Sequence, residues 1–215
     1  MTYETDEEKV ETIKKWWKEN GLSVIAGTLI GLGGIFGWRL WIDHRDSVAG
    51  KASATFEKML VNAAMSQPEA VAKQAERLKT DYAATPYASL GAMVAAKTLY
   101  QEGNATAAIS ALQDAIANAP DPALARIAAL RLARIQIAEG QLDAATATIT
   151  AHDDSPDFAG EFAAIRGDLA IAHGDMATAR SAYEQAIEKG TGLSQLIRLK
   201  LDNLPAGKIE RAAKS

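Results

Sequence analysis

The sequence predicts an all-α protein: a single N-terminal transmembrane helix followed by an α-solenoid of stacked helical hairpins. Three observations carry that prediction. Leu22 to Trp38 is a run of seventeen residues without a charge. All four tryptophans flank it, Trp16 and Trp17 before it and Trp38 and Trp41 at its far end. The remainder is alanine-rich, broken at Gly and Pro, and repeats itself about turn glycines 37 and then 34 residues apart.

Residues 1–20 read as a short cytoplasmic tail and residues 21–42 as the anchor. A bilayer core takes roughly 20 apolar helical residues, with about 17 as the lower limit. Indole rings favour the membrane–water boundary, so the two tryptophan pairs mark both faces of a bilayer. A cleaved signal peptide has a basic start and a small-x-small site close behind its apolar run. Here the first twenty residues carry six acids against four lysines, and Arg39, Asp43, Arg45 and Asp46 follow the run directly. The expectation is an uncleaved anchor in contact with membrane lipid. Lys9, Lys14, Lys15 and Lys18 precede the helix, and Arg39, Arg45 and Lys51 follow it. By the positive-inside rule that narrow excess points to a cytoplasmic N-terminus, with the large domain across the membrane. Gly27, Gly31 and Gly34 share one helix face, and Gly33 and Gly37 form a second small-xxx-small pair. Such faces let another membrane helix dock closely, although glycine is also frequent in membrane helices generally. The lead-in from Glu7 to Lys18 is amphipathic, with Val10, Ile13 and Trp17 on one stripe.

Residues 43–205 read as one repeat domain and residues 206–215 as a frayed tail. The first part, 49–86, is a degenerate helical pair. Met59, Leu60 and Met65 line its first helix, Val71, Ala75 and Leu78 its second, and Pro68 separates them. Three further segments align on Gly103, Gly140 and Gly174. Seven residues before each glycine stands a small residue, Ala96, Ala133 or Gly167. Five residues after each stands Ala108, Ala145 or Ala179, and four beyond that Leu112, Ile149 or Tyr183. Glycine supplies the left-handed residue that ends the first helix of a hairpin. Small residues then sit where two helices cross, and the bulky one fills the gap against the next hairpin. A period near 34 with these features is the signature of tetratricopeptide repeats. Pro120 and Pro156 close the second helices of the first two units. Leu193–Leu204 reads as a capping helix that covers the last repeat with Leu196, Leu199 and Leu204, while Arg198, Lys200 and Asp202 face water.

Stacked hairpins offer a concave surface lined by the first helix of each pair. Its candidate binding residues are Lys97, Tyr100, Arg131, Arg134, Arg166 and Asp168. Arg126, Arg131 and Arg134 form a basic cluster in a chain of net charge −4. That cluster suits an acidic peptide or a carboxylate terminus, or equally a solvated face paired with nearby acids. The acidic balance gives no reason to expect a nucleic-acid partner. With no cysteine, disulfide scaffolds, Cys-ligated zinc and thiol nucleophiles are excluded. His44, His152 and His173 lie far apart and lack ligand spacing. Asp153-Asp154 reads as a turn and helix-start signal. No catalytic residue and no cofactor is implied, and the expectation is a non-enzymatic protein.

The chain resembles the YfgM family, the ancillary subunits of the bacterial SecYEG translocon. The likeness spans almost the whole chain. It includes the charged start ending in Glu19-Asn20-Gly21, the anchor closing with Gly37-Trp38-Arg39, and the Leu130–Gln136 stretch. It also includes Arg166-Gly167-Asp168, His173-Gly174-Asp175 and Asp202-Asn203-Leu204. The resemblance implies a single-pass inner-membrane protein with a periplasmic repeat domain. It further implies the SecYEG translocon, a membrane-anchored periplasmic chaperone of the prolyl-isomerase type, and secretory client chains as partners. Repeat domains serve other roles too, so a cell-envelope scaffold for peptidoglycan synthesis or outer-membrane assembly stands as the alternative.

Overall fold

The computed structural model describes residues 6–205. The tail expected at residues 206–215 lies outside the described residues, as do residues 1–5 of the N-terminal segment. The chain divides into two compact units, Met1–Gly50 and Lys51–Ser215.

The first unit is helical throughout its described length. Its helix, α1 (Asp6–Ala64), passes without a break through both ends of the expected anchor. The chain's first proline is Pro68, so no residue removes a ladder hydrogen bond before then. Among the described residues α1 is the one helix long and apolar enough to cross a membrane. Its apolar side chains point outward, Leu22 being 83% and Ile30 76% exposed. That pattern belongs to a helix whose solvent is lipid rather than to a core helix.

The second unit is the solenoid. Its first pair joins the end of α1 to α2 (Pro68–Asp81). Three hairpins follow: α3 (Pro86–Gln101) with α4 (Ala105–Ala117), α5 (Pro122–Ala138) with α6 (Leu142–His152), and α7 (Ala159–Ala172) with α8 (Met176–Lys189). A single 3-10 turn, Pro156–Phe158, precedes α7, and α9 (Ser194–Asn203) closes the stack. Prolines start helices here more than they stop them. Pro68, Pro86 and Pro122 each hold the first helical position, where the missing N–H has no partner to lose.

The three turns are built alike. Gly103, Gly140 and Gly174 have φ of 80°, 71° and 78°. In each, the amide after the glycine donates across the turn, Asn104 to Leu99, Gln141 to Gln136 and Asp175 to Ala170, at 2.8–2.9 Å. The glycine amide itself donates to Tyr100, Ile137 or Ile171. This is the Schellman arrangement, which satisfies carbonyls that the ended helix leaves open. The same Asn104 and Asp175 then cap the next helix, accepting from the amides of Ala107 and Thr178.

Helix crossings follow the expected small residues. Ala96, Ala133, Ala108, Ala145 and Ala179 are essentially inaccessible, as are Leu112 and Tyr183. Three apolar clusters run along the stack, centred on α3–α5, α5–α7 and α7–α9. The first helices of successive pairs pack on one another, α3 on α5 and α5 on α7, forming the inner layer.

Two end elements differ from expectation. In the first pair Met59 is buried, but Leu60 and Met65 are 45% and 61% exposed. The buried stripe is Ala52, Thr55 and Met59, with Phe56 against Tyr87 at 5.7 Å between rings. In α9 the covering residues are Ile197, Leu201 and Leu204, whereas Leu196 and Leu199 face outward. Lys200 does not face water freely: it is half-buried against Asp168.

Candidate functional site

Two surfaces are candidates, one in each unit. In the anchor, the tryptophans form tilted pairs, with ring centroids 6.5 Å apart for Trp16–Trp17 and 5.2 Å for Trp38–Trp41. Arg45 lies over the Trp41 ring at 5.1 Å. Gly21 is buried because the Trp17 indole lies on it; a Cβ there would meet the ring at 3.2 Å. At 1.5 Å per residue, Trp17 and Trp38 are separated by about 32 Å along the helix, close to a hydrocarbon core of about 30 Å. Inside that span Thr28 donates to the Val24 carbonyl at 2.8 Å, so its hydroxyl carries no unmet donor into lipid. Added Cβ atoms at Gly27, Gly31 and Gly34 would meet nothing, and the same holds for Gly33 and Gly37.

In the repeat domain the six expected groove residues fall into different settings. Lys97 on α3 is exposed, while Tyr100 is half-buried and packs on the α3–α5 cluster. Arg131 and Arg134 stand exposed one turn apart on α5. Burial of part of its side chain, then the Arg134 charge, lowers the pKa of Arg131. Arg166 pairs with Asp153, and Arg126 with Asp154 at 2.8 Å. The Asp153-Asp154 pair therefore does more than mark a turn: it ties α7 and α5 to the end of α6. No side-chain helix cap comes from it, since the 3-10 turn starts after Ser155.

Asp168 faces the other way. It accepts from the Tyr183 hydroxyl at 2.6 Å and from Lys200 Nζ at 2.5 Å. Burial, then the Asp168 hydrogen bond and charge, pushes the Tyr183 phenol up, so it stays a neutral donor. Arg134, Asp168, Tyr183 and Lys200 line one cavity of about 600 Å³ with apolar walls from Ile137 and Ile171. Of the expected residues, then, Arg134 and Asp168 share a recess; Lys97, Tyr100 and Arg131 do not line it, and Arg166 is engaged with α6. Lys200 and Tyr183 were not legible as recess residues. Their partner Asp168 lies 32 and 15 residues away, beyond any local periodicity.

Anchor and stacked hairpins together define a membrane-anchored protein of tetratricopeptide-like fold. Residues 14–206 match the tetratricopeptide repeat-like domain family. Three curated proteins, each called an ancillary SecYEG translocon subunit, are similar along almost their whole length. The one from Haemophilus influenzae is 34% identical, across 95% of this chain and 100% of its own. That from Aggregatibacter actinomycetemcomitans is 36% identical over the same shares. That from Escherichia coli K12 is 29% identical over 94% of this chain and 98% of its own. The chain belongs to the family of ancillary SecYEG translocon subunits.

Proposed function

We propose that this chain is a non-enzymatic ancillary subunit of the SecYEG translocon. Its anchor sits in the inner membrane with the N-terminus in the cytoplasm, and its repeat domain lies in the periplasm. There the concave face binds a membrane-anchored chaperone of the prolyl-isomerase type or emerging secretory chains. The observation that carries the reading is the likeness over 95% of the chain to relatives called ancillary SecYEG translocon subunits. The anchor's outward apolar surface and the recess at Arg134 and Asp168 support it.

Affinity purification of the tagged full-length chain from its native membrane, in mild detergent, tests it by quantitative mass spectrometry. Translocon subunits and a periplasmic chaperone are expected, and both are lost when the anchor is deleted. Recovery of cell-wall or outer-membrane assembly factors instead sinks the translocon reading. Orientation is tested separately. The chain has no cysteine, so Thr5→Cys and Ser194→Cys can be probed singly with an impermeant thiol reagent. Labelling is expected at position 194 alone; labelling at position 5 alone reverses the topology.

A further inference from the structure

Four cations meet in one place on an otherwise acidic chain. Lys51 and Lys58 lie two turns apart on the last part of α1, and Lys73 and Arg77 lie one turn apart on α2. All four line a single cavity of about 550 Å³ between these helices, and no acid lines it. Arg77 shares its charge with Asp81 at 3.4 Å. Among the described residues Lys51, Lys58 and Lys73 form no ion pair. A concave wall of one sign focuses its field and concentrates counter-ions.

A second feature of the same cavity is unfinished. Gln74 lines it, and its Oε1 is buried without a hydrogen-bond partner. An anion entering the cavity would thus meet three unpaired ammonium groups and a guanidinium. Phosphate oxygens suit such a donor set, because charge-assisted hydrogen bonds are short and strong.

We infer that the cavity formed by Lys51, Lys58, Lys73, Arg77 and Gln74 is a binding site for a phosphate group, carried by a lipid headgroup or as the free ion. The site lies wholly within the second unit and owes nothing to the proposed translocon role.

The test uses the full-length protein in a neutral detergent and chloride buffer. Inorganic phosphate and short-chain phosphatidylglycerol are titrated separately, against short-chain phosphatidylcholine and ionic-strength-matched chloride. Retained adducts in native mass spectrometry and the shift in melting temperature report binding. Binding of either phosphate-bearing anion is expected, weakened about tenfold or more in Lys58→Gln/Lys73→Gln. Both side chains are exposed, so the variant keeps its fold, which its melting temperature without ligand verifies. Arg198→Gln, on the exposed side of α9 and outside the cavity, should bind as the native chain does. A response to phosphatidylglycerol alone identifies the lipid source; a response to inorganic phosphate identifies the free ion. Absence of binding, equal binding of phosphatidylcholine, or undiminished binding in the double variant overturns the assignment.

Discussion

Gly167 lies under the ring of Tyr183, and a Cβ there would overlap Cε1 and Cδ1. The ring has little room to yield, because its hydroxyl is held by Asp168 and Lys200 lies over its face. Gly167→Val should therefore cost about 2–3 kcal/mol by overpacking, lowering the melting temperature by roughly 5–10 °C for a chain of this size. Gly50 is the contrasting case: it is helical with open space around it. Gly50→Ala should raise stability by about 0.5–1 kcal/mol through backbone entropy alone. Thermal melts of both variants check the opposite signs. Asp175 gives a pH prediction. Hydrogen bonds from the Thr178 hydroxyl and then its amide hold the carboxyl below the usual aspartate range. A depressed folded pKa means a stabilisation present above the unfolded value and lost as pH falls through the folded one. The native chain should outlast Asp175→Asn by a constant margin between pH 5 and 7, both values being chosen well above about 3.9. That margin should shrink below about pH 4 and vanish in stronger acid; a margin independent of pH would show that the ionised cap is not the cause.

At the scale of elements, local chemistry is legible and partners are not. The turns at Gly103, Gly140 and Gly174 were readable because a positive φ demands glycine and the spacing repeats. Ala96, Ala133 and Gly167 were readable as crossing points because bulk is excluded where helices touch. The end helices were harder. In α9, Leu196 and Leu199 form as good a stripe as Ile197, Leu201 and Leu204, and only contact with the α8 residues around Tyr183 and Ala186 decides between them. The same holds at Leu60, one residue from Met59 on a helix whose buried side is set by α2 and α3. Lys200 looks solvated in sequence and becomes a recess residue through Asp168. The register in α9 makes a sharp prediction. Ile197→Ala should cost about 2–5 kcal/mol as a buried large-to-small change. Leu196→Ala, on the exposed side, should stay within about 0.5 kcal/mol. Denaturant midpoints of the two variants measured at equal slope would reveal an inverted register if Leu196→Ala were the costly one.

For the whole molecule, the anchor's role turns on what covers its glycines. Lipid tails are as apolar as a leucine side chain, so no hydrophobic drive pulls two membrane helices together; close van der Waals contact does. Gly27, Gly31 and Gly34 leave open backbone along one face, and an added Cβ at any of them meets no atom of this chain. Replacing all three with leucine keeps the run uncharged and makes it more apolar, so insertion should be retained. What is lost is the close approach of a second helix. If the anchor docks on the translocon through this face, the triple-leucine variant should stay in the membrane fraction while co-purified translocon falls about tenfold, the equivalent of about 1.4 kcal/mol of contact. Gly33→Leu/Gly37→Leu, on the second small-residue pair, separates a specific face from a general effect of bulk. Loss in the first variant alone assigns docking to Gly27, Gly31 and Gly34. Equal loss in both makes the helix as a whole the docking element, and unchanged recovery in both moves the contact to the repeat domain, where Arg134 and Asp168 would be the next residues to alter.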